Sequence, residues 1–169
     1  MILQDRPALT PPLMISPLVV AGAFIALCGL LREPARQKFS AIFVAGAGAA
    51  YLGGGLGPWE LAFCTLMTFI AYKGLQDYRF IGAGWVLHTC WDVVHHLYGN
   101  PIIPFLPMSS AGCAICDLGL AAWYFAGAPS PWPHVRRLDQ VIAGSTAQQA
   151  KAARADPEVV AMARKVTEA

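Results

Sequence analysis

Four titratable side chains interrupt an otherwise apolar segment in the stretch HTCWDVVHH at residues 88–96. Imidazole nitrogens and carboxylate oxygens are ligands that suit zinc and iron, and the same groups form proton relays inside membranes. At about 100° of rotation per residue, all four side chains fall on one face of an α-helix. The pattern predicts a functional stripe made of His88, Asp92, His95 and His96.

The composition of the chain indicates whether this stripe lies in a soluble protein or in a membrane protein. Hydrophobic residues make up 56% of the 169 residues, charged residues make up 13%, and the mean hydropathy is +0.49. Because an average soluble domain carries about 25% charged residues, we expect an integral membrane protein whose partner is the lipid bilayer. The net charge of +2 gives no basic field, so no nucleic-acid partner is expected.

Five apolar segments approach the roughly 20 residues that an α-helix needs to cross a hydrocarbon core. Helix-breaking residues separate them, as in GGGLGP at 53–58 and GNPIIPFLP at 99–107. We therefore expect residues 1–130 to form an all-α, polytopic bundle of five transmembrane helices in the cell membrane, either plasma or inner. The predicted spans are residues 13–31, 39–57, 59–75, 80–97 and 110–127.

Lysine and arginine residues follow the first, third and fifth predicted spans. With five crossings these positions share one side of the membrane, and only Arg6 lies on the other side. The positive-inside rule then places the N-terminus outside and the C-terminus in the cytoplasm.

The character of the chain changes beyond the fifth span. From residue 134 onward the sequence has no aromatic residue and mixes Ala, Gln, Lys and Arg. Such a segment cannot bury much apolar area, so residues 131–169 are predicted to form a solvated, partly helical cytoplasmic tail or a partner-binding arm.

Carboxylates on two other spans are expected in the same half of the bundle as the histidines. If the fourth helix runs outward, Asp92 lies about 7 Å and His88 about 13 Å below its outer end. Asp117 lies about 10 Å down the returning fifth helix, and Glu60 lies near the outer end of the third. A charge near the bilayer centre costs at least about 2.5 kcal/mol, so such groups normally pair with each other, a metal or water.

A block of aromatic and titratable residues, W-x-x-H-x-x-W-D-x-x-H-H at 85–96, precedes a second group of polar and small residues. This second group consists of Asn100, Pro101, Ser109, Ser110, Gly112, Cys113 and Asp117. Over roughly residues 80–127 the chain resembles an uncharacterised family of small bacterial multi-helix membrane proteins. The resemblance implies the membrane class and the location of the site, and it supplies no reaction.

A divalent metal site, with zinc or iron as the metal, is the first function that these residues support. Its candidate ligands are His88, Asp92, His95, His96 and Asp117, and the candidate catalytic residues are Asp92 and Glu60, the latter as a proton carrier. A catalytic zinc needs only three protein ligands. The expected activity is that of a hydrolase or an oxidoreductase acting on a lipid-like substrate.

If the metal is iron, the spacing of Asp92 and His95 resembles the carboxylate-x-x-His motif of di-iron bundles, although those use Glu. The chain has no second copy of this motif. A di-iron site would therefore need a homo-oligomer or other ligands.

Two other functions fit the same residues. A proton or small-solute pathway is the second, but the cytoplasmic end of the fourth span, FIGAGWV at 80–86, offers it no polar counterpart. A structural or assembly role is the third, because a buried His–Asp pair can hold helices together, typically with less than about 2 kcal/mol. Three histidines and three carboxylates exceed what one such pair requires.

The connection GNPIIPFLPMSS at 99–110 has proline at every third position. This spacing favours an extended backbone, and the intervening side chains are too apolar for free solvation. We expect the connection to cover the mouth of the bundle as a lid that contacts a lipid-like substrate.

Overall fold

The computed structural model of the protein describes residue 8 and residues 10–155, with side chains as far as residue 152. Within these residues the chain forms six α-helices and no β-strand, so the all-α prediction is confirmed there. The helices are α1 (Pro11–Cys28), α2 (Ala35–Ala49), α3 (Pro58–Gly74), α4 (Tyr78–Tyr98), α5 (Ser109–Phe125) and α6 (Pro133–Ala155). The predictions for Arg6 and for the last part of the tail, residues 156–169, lie outside the described residues.

Local sequence signals explain where the helices begin and end. Prolines occupy the first turn of α1 and of α3, where a missing backbone N–H removes no helical hydrogen bond. Asp77 caps α4 by accepting a 2.8 Å hydrogen bond from the backbone N–H of Arg79. The second helix ends at Ala49, earlier than the predicted residue 57, because the chain then turns through Gly53 and Gly55, whose φ angles are 88° and 98°.

Helix α4 lies at the centre of the bundle. It packs against α2, α3 and α5, while α1 packs mainly against α5. The core between the helices contains fully or almost fully buried apolar side chains from α2 to α5, including Val44, Met67, Ile81, Leu120 and Tyr124. Side chains on the inner face of α4 are therefore surrounded by three other helices.

Hydrogen bonds between the connections define two ends of the bundle. At the Asn100 end, which contains connections 50–57 and 99–108, the N–H of Asn100 donates to the carbonyl oxygen of Gly54 at 2.7 Å. At the opposite Arg36 end, which contains connections 29–34, 75–77 and 126–132, the hydroxyl of Ser130 donates to the carbonyl oxygen of Gly29 at 2.7 Å. Successive helices thus run in opposite directions through α5.

Helix α6 leaves the bundle at the Arg36 end. Its first turns are docked there, since Val135 is 3% exposed and the carboxylate of Asp139 accepts a 2.8 Å hydrogen bond from Arg36. Described side chains of α6 beyond Asp139 are exposed. This helix is the described part of the predicted tail.

Large apolar side chains cover the outside of the bundle on all five of its helices. On α1, α2, α3 and α5 the following are more than half exposed: Leu18, Val19, Ile42, Leu61, Phe69, Leu118 and Phe125; on α4, Val93 is 45% exposed. Of the described helices, α1 is the one whose length and composition suffice for it to cross a membrane. Five crossings and their orientation therefore stay predictions.

Candidate metal centre

The polar stripe of α4 faces the interior of the bundle. His88 is 3% exposed, and both Asp92 and His95 are 0% exposed. Cys90 and Val93, on the opposite face, are exposed. The helical periodicity of the sequence therefore correctly separates the inner face of α4 from its outer face.

Three of the predicted ligands come together between α4 and α5 to form a His–Asp–Asp cluster, which consists of His88, Asp92 and Asp117. The Nδ1 atom of His88 lies 2.7 Å from Oδ2 of Asp117 and 3.3 Å from Oδ2 of Asp92. One ligand atom from each residue lies within 4.8 Å of the other two, and all three residues are buried. One imidazole nitrogen is thus set between two carboxylates.

The second ring nitrogen of His88 fixes which atom can act as a ligand. Its Nε2 atom lies 3.0 Å from the backbone carbonyl oxygen of Ala47, on α2. A carbonyl oxygen can only accept a hydrogen bond, so Nε2 carries the proton and donates it. Histidines that bind metals usually donate their other N–H to a carbonyl or carboxylate oxygen in this way. Nδ1 is therefore the atom available to a metal.

Tyr51, just beyond the end of α2, orients the central carboxylate. Its hydroxyl donates a 2.5 Å hydrogen bond to Oδ1 of Asp92, and Tyr51 itself is 2% exposed. Oδ2 of Asp92 has no hydrogen-bond partner among the described residues. This carboxylate thus has one oxygen held by Tyr51 and the other facing His88. A lone tyrosine outside the stripe gave no spacing signal, and sequence reasoning missed it.

The donor set of the cluster fits a divalent cation. In a tetrahedral zinc site with bonds of about 2.0–2.2 Å, neighbouring ligand atoms lie about 3.3 Å apart. The 3.3 Å distance from His88 Nδ1 to Asp92 already matches that spacing, whereas the 2.7 Å distance to Asp117 would have to widen by about 0.6 Å. Two carboxylates and one neutral imidazole would neutralise a dication, and mixed nitrogen and oxygen donors suit zinc or iron.

His95 lies outside the cluster, nearer to the Asn100 end. Its ring stacks on Tyr51 with ring centroids 4.0 Å apart. A Cβ atom placed on Gly54 or Gly99 would come within 2.6 or 2.5 Å of the ring, so these glycines make room for it. Both ring nitrogens lack a hydrogen bond of normal geometry within the described part of the chain. The ring of His95 thus contacts the rings of Tyr51 and Trp91, and a role as metal ligand stays a prediction.

Glu60 anchors the connection between α2 and α3. It is 4% exposed, and its two carboxylate oxygens each accept a 2.7 Å hydrogen bond, from the N–H groups of Gly53 and Leu56. Neither Glu60 nor the half-buried His96 belongs to the cluster. The catalytic role of Glu60 and the ligand role of His96 also stay predictions.

An apolar cavity of about 270 Å³ reaches the cluster. Helices α1, α2, α4 and α5 line it together with Ile102 of the connection 99–108, and its polar lining comes from His88 and Asp117. Ile102, rather than the 82% exposed Phe105, is the residue of this connection that closes over the cavity. The cluster is therefore buried but adjoins space for an apolar ligand.

The fold and the site define a class of protein, an α-helical bundle with a buried His–Asp–Asp group of metal-ligand type. The chain belongs to the family described as "Family of unknown function (DUF6010)", whose profile matches residues 13–130. Membership agrees with the uncharacterised family expected from residues 80–127. The exact signature of that family and its bacterial origin stay predictions.

The chain is also similar to NADH-ubiquinone oxidoreductase chain 5 of Talaromyces marneffei. The two are 27% identical over 103 residues, which cover 61% of this chain and 15% of that protein. The chain therefore spans a small part of the relative that it matches. No solved structure matches the chain significantly.

Proposed function

We propose that the protein is a multi-pass membrane protein that binds one divalent metal ion, zinc or iron, at His88, Asp92 and Asp117. The observation that carries this proposal is the position of His88 Nδ1 between two buried carboxylates, while Nε2 donates to a backbone carbonyl. A divalent ion there would supply Lewis-acid or redox chemistry, as in hydrolases and oxidoreductases.

The distribution of polarity supports a position within the bilayer. Soluble proteins place charged side chains outside and rarely expose large apolar patches. Here the outer faces of α1 to α5 are apolar, while His88, Asp92 and Asp117 are buried among the helices. Ionisable residues within a membrane bundle face its interior in the same way and pair with one another or with an ion.

Basic residues support the predicted orientation. The connections of the Asn100 end, 50–57 and 99–108, contain no lysine or arginine. The Arg36 end has seven such residues in or beside its connections: Arg32, Arg36, Lys38, Lys73, Arg79, Arg136 and Arg137. By the positive-inside rule, the Arg36 end with α6 faces the cytoplasm and the Asn100 end faces outward.

Charge balance favours a metal over a purely structural cluster. Two carboxylates in a low-dielectric interior are costly unless an equal positive charge accompanies them. A protonated His88 supplies one positive charge, so the second carboxylate must either take up a proton or remain an uncompensated charge. A divalent cation would compensate both, and the oxygen of Asp92 that has no hydrogen-bond partner among the described residues would be free to bind it.

A proton pathway is the second candidate, and one observation in the other half of the bundle favours it. We expected no polar counterpart there. The structure places three buried polar groups in that half, the hydroxyls of Ser40 and Tyr124 and the indole N–H of Trp85. None has a hydrogen bond of normal geometry within the described residues. The short contact between His88 and Asp117 would then hold a proton in place of a metal.

Cobalt binding separates these two functions. The detergent-purified protein would be stripped of metal with a chelator and titrated with Co²⁺, whose visible absorption reports coordination by nitrogen and oxygen ligands. We expect saturation at one Co²⁺ per chain, with the absorption retained in Cys90→Ala and lost in His88→Ala. The exposed side chain of Cys90, two residues from His88 and on the opposite face, makes it a matched control. Absence of binding, or equal binding by His88→Ala, would contradict the metal site.

A further inference from the structure

Three apolar cavities lie in a row along the contact between α1 and α5. Their volumes are about 290, 230 and 270 Å³, and the last is the cavity that reaches the His–Asp–Asp cluster. The first two share lining residues on both helices, including Pro17 and Gly112. The second and third share Val20, Cys113 and Cys116. Because neighbouring cavities share lining residues, they lie side by side, and we name this row of three cavities the α1–α5 groove.

The lining of the α1–α5 groove is apolar for most of its length. Apart from the thiols of Cys113 and Cys116, its titratable lining groups are His88 and Asp117, which lie at the inner end. Of its two serine hydroxyls, that of Ser109 is already paired with the backbone N–H of Ile103 at 3.0 Å. Such a lining suits a hydrocarbon chain and offers little to a sugar, a nucleotide or a peptide.

The dimensions of the groove match one leaflet of a bilayer. Its lining runs along α1 from Leu13 to Phe24, which is about 16 Å at 1.5 Å per residue. One leaflet contributes about half of a hydrocarbon core that is about 30 Å thick. Because α1 begins at the Asn100 end, the outer mouth of the groove lies at the membrane surface and its inner end lies near the midplane.

The side of the groove is open to surrounding lipid. Val20 is 59% exposed, and Leu106, from the connection that roofs the outer mouth, is 51% exposed. A lipid chain can therefore enter from the outer surface of α1 and α5 without crossing an aqueous layer. This continuity with the lipid-facing surface favours a bilayer lipid over a water-soluble ligand.

We propose that the α1–α5 groove binds one acyl chain of a phospholipid from the leaflet at the Asn100 end. The head group lies at the outer mouth, near Leu13 and Leu106. The distal part of the chain lies against His88 and Asp117. The inference rests on the proposed position in the membrane but does not require the metal.

This orientation assigns a substrate class to the site. In the membrane, the ester bonds of such a lipid lie at the surface, about 12 to 15 Å from the cluster, as judged from the positions of Asp117 and His88 along α5 and α4. Carbon atoms of the chain, and not an ester carbonyl, are then the groups presented to His88 and Asp117. The geometry favours chemistry on the hydrocarbon chain over hydrolysis of a head group.

Photoaffinity labelling in vesicles tests both the occupancy and the direction. Metal-free protein would be reconstituted in phosphatidylcholine vesicles containing one of two phosphatidylcholine probes, with a diazirine near the ester or near the end of the acyl chain. We expect the ester-proximal probe to label residues 106–112 and the chain-end probe to label the region of Cys116 and Leu120. The reverse pattern would overturn the direction.

A pair of tryptophan variants distinguishes the groove from general contact with lipid. Val20→Trp fills the junction of the second and third cavities, whereas Leu118→Trp adds the same bulk on an outward-facing position of α5 that is 55% exposed. We expect Val20→Trp to reduce chain-end labelling around Cys116 by at least about fivefold, and Leu118→Trp to leave it unchanged.

Two results in the wild-type protein would overturn the proposal without any variant. One is chain-end labelling that is no stronger around Cys116 than around the exposed Leu118. The other concerns a free fatty acid that carries the same diazirine. If this probe labels the groove, and unlabelled fatty acid abolishes the labelling while phosphatidylcholine does not, the groove binds free fatty acids instead of phospholipid. Because the protein is metal-free, neither result depends on the metal site.

Discussion

The hydroxyl of Tyr51 donates a 2.5 Å hydrogen bond to Oδ1 of Asp92, and so joins the end of α2 to the middle of the polar stripe on α4. Both residues are almost completely buried. The hydrogen bond fixes one oxygen of Asp92 and leaves the other facing His88, 3.3 Å from its Nδ1 atom. The geometry of the candidate metal centre thus depends on a residue outside the centre itself.

Removal of this hydroxyl is expected to weaken the metal site without unfolding the bundle. In Tyr51→Phe the ring still stacks on His95, but Asp92 loses the donor that orients it. Loss of such a partner typically lowers metal affinity by about 10- to 100-fold. The Co²⁺ titration measures this change, and Tyr72→Phe, at a position 62% exposed on α3, is the control. Equal affinity in both variants would show that Tyr51 does not orient a ligand.

The metal is expected to stabilise the folded bundle. A ligand that binds the folded state alone stabilises it by about 2.7 kcal/mol at a concentration 100 times its Kd. Chelation should therefore lower the melting temperature of the wild-type protein, and Zn²⁺ should restore it. The His88→Ala protein should melt at one temperature with or without chelator. A chelator effect of equal size in both proteins would place the stabilising metal elsewhere.

Substitution of Glu60 tests whether it anchors the loop or carries protons. Glu60→Gln keeps the shape of the side chain but replaces one of its two accepting oxygens with a donor, opposite Gly53 or Leu56. An unpaired buried N–H typically costs about 1–3 kcal/mol. We expect lower stability and faster amide hydrogen exchange in residues 53–57. Unchanged stability and exchange, with loss of any metal-dependent activity, would instead support the proton carrier.

Release of α6 is expected when its ionic contact is broken. The guanidinium of Arg36 donates to Asp139 at 2.8 Å and to Glu33 at 2.6 Å, and Arg36 is 3% exposed. Asp139→Asn removes the charge that holds the first turns of α6 to the bundle. Trypsin should then cleave faster after Arg136 and Arg137. The control is Gln140→Ala, at the exposed position next to Asp139, which should be cleaved at the wild-type rate. Cleavage at the wild-type rate in Asp139→Asn would show that the contact does not dock α6.

Periodicity explains why part of the site could be predicted from the sequence. His88 and Asp92 recur at helical spacing, and Asp117 follows at a matching depth on the next helix, so their meeting depends only on antiparallel packing of α4 and α5. His95 and His96 lie at opposite edges of the predicted stripe, about 100° apart around the helix axis, so their surroundings differ. The structure buries His95 and leaves His96 half-buried.

The rest of the site depends on how the helices are rotated against one another. The carbonyl oxygen of Ala47 and the hydroxyl of Tyr51 reach the cluster from α2 and from the residues just after it. Neither residue belongs to a motif, because a backbone carbonyl is present at every position and Tyr51 lies past the end of its helix. The anchoring contacts of Glu60 likewise depend on the path of connection 50–57, which glycines at positive φ determine.

The metal content of the purified protein shows whether His88, Asp92 and Asp117 bind a metal ion. Elemental analysis would be applied to protein from cells supplied with zinc and iron, in wild type, Asp92→Asn and Cys90→Ala. Asp92→Asn keeps the shape of a side chain that is 0% exposed but removes its charge, and Cys90 is exposed on the opposite face of α4. We expect about one zinc or iron per chain in wild type and Cys90→Ala, and strong loss in Asp92→Asn. No stoichiometric metal in wild type, or full occupancy in Asp92→Asn, would contradict a metal site at these residues.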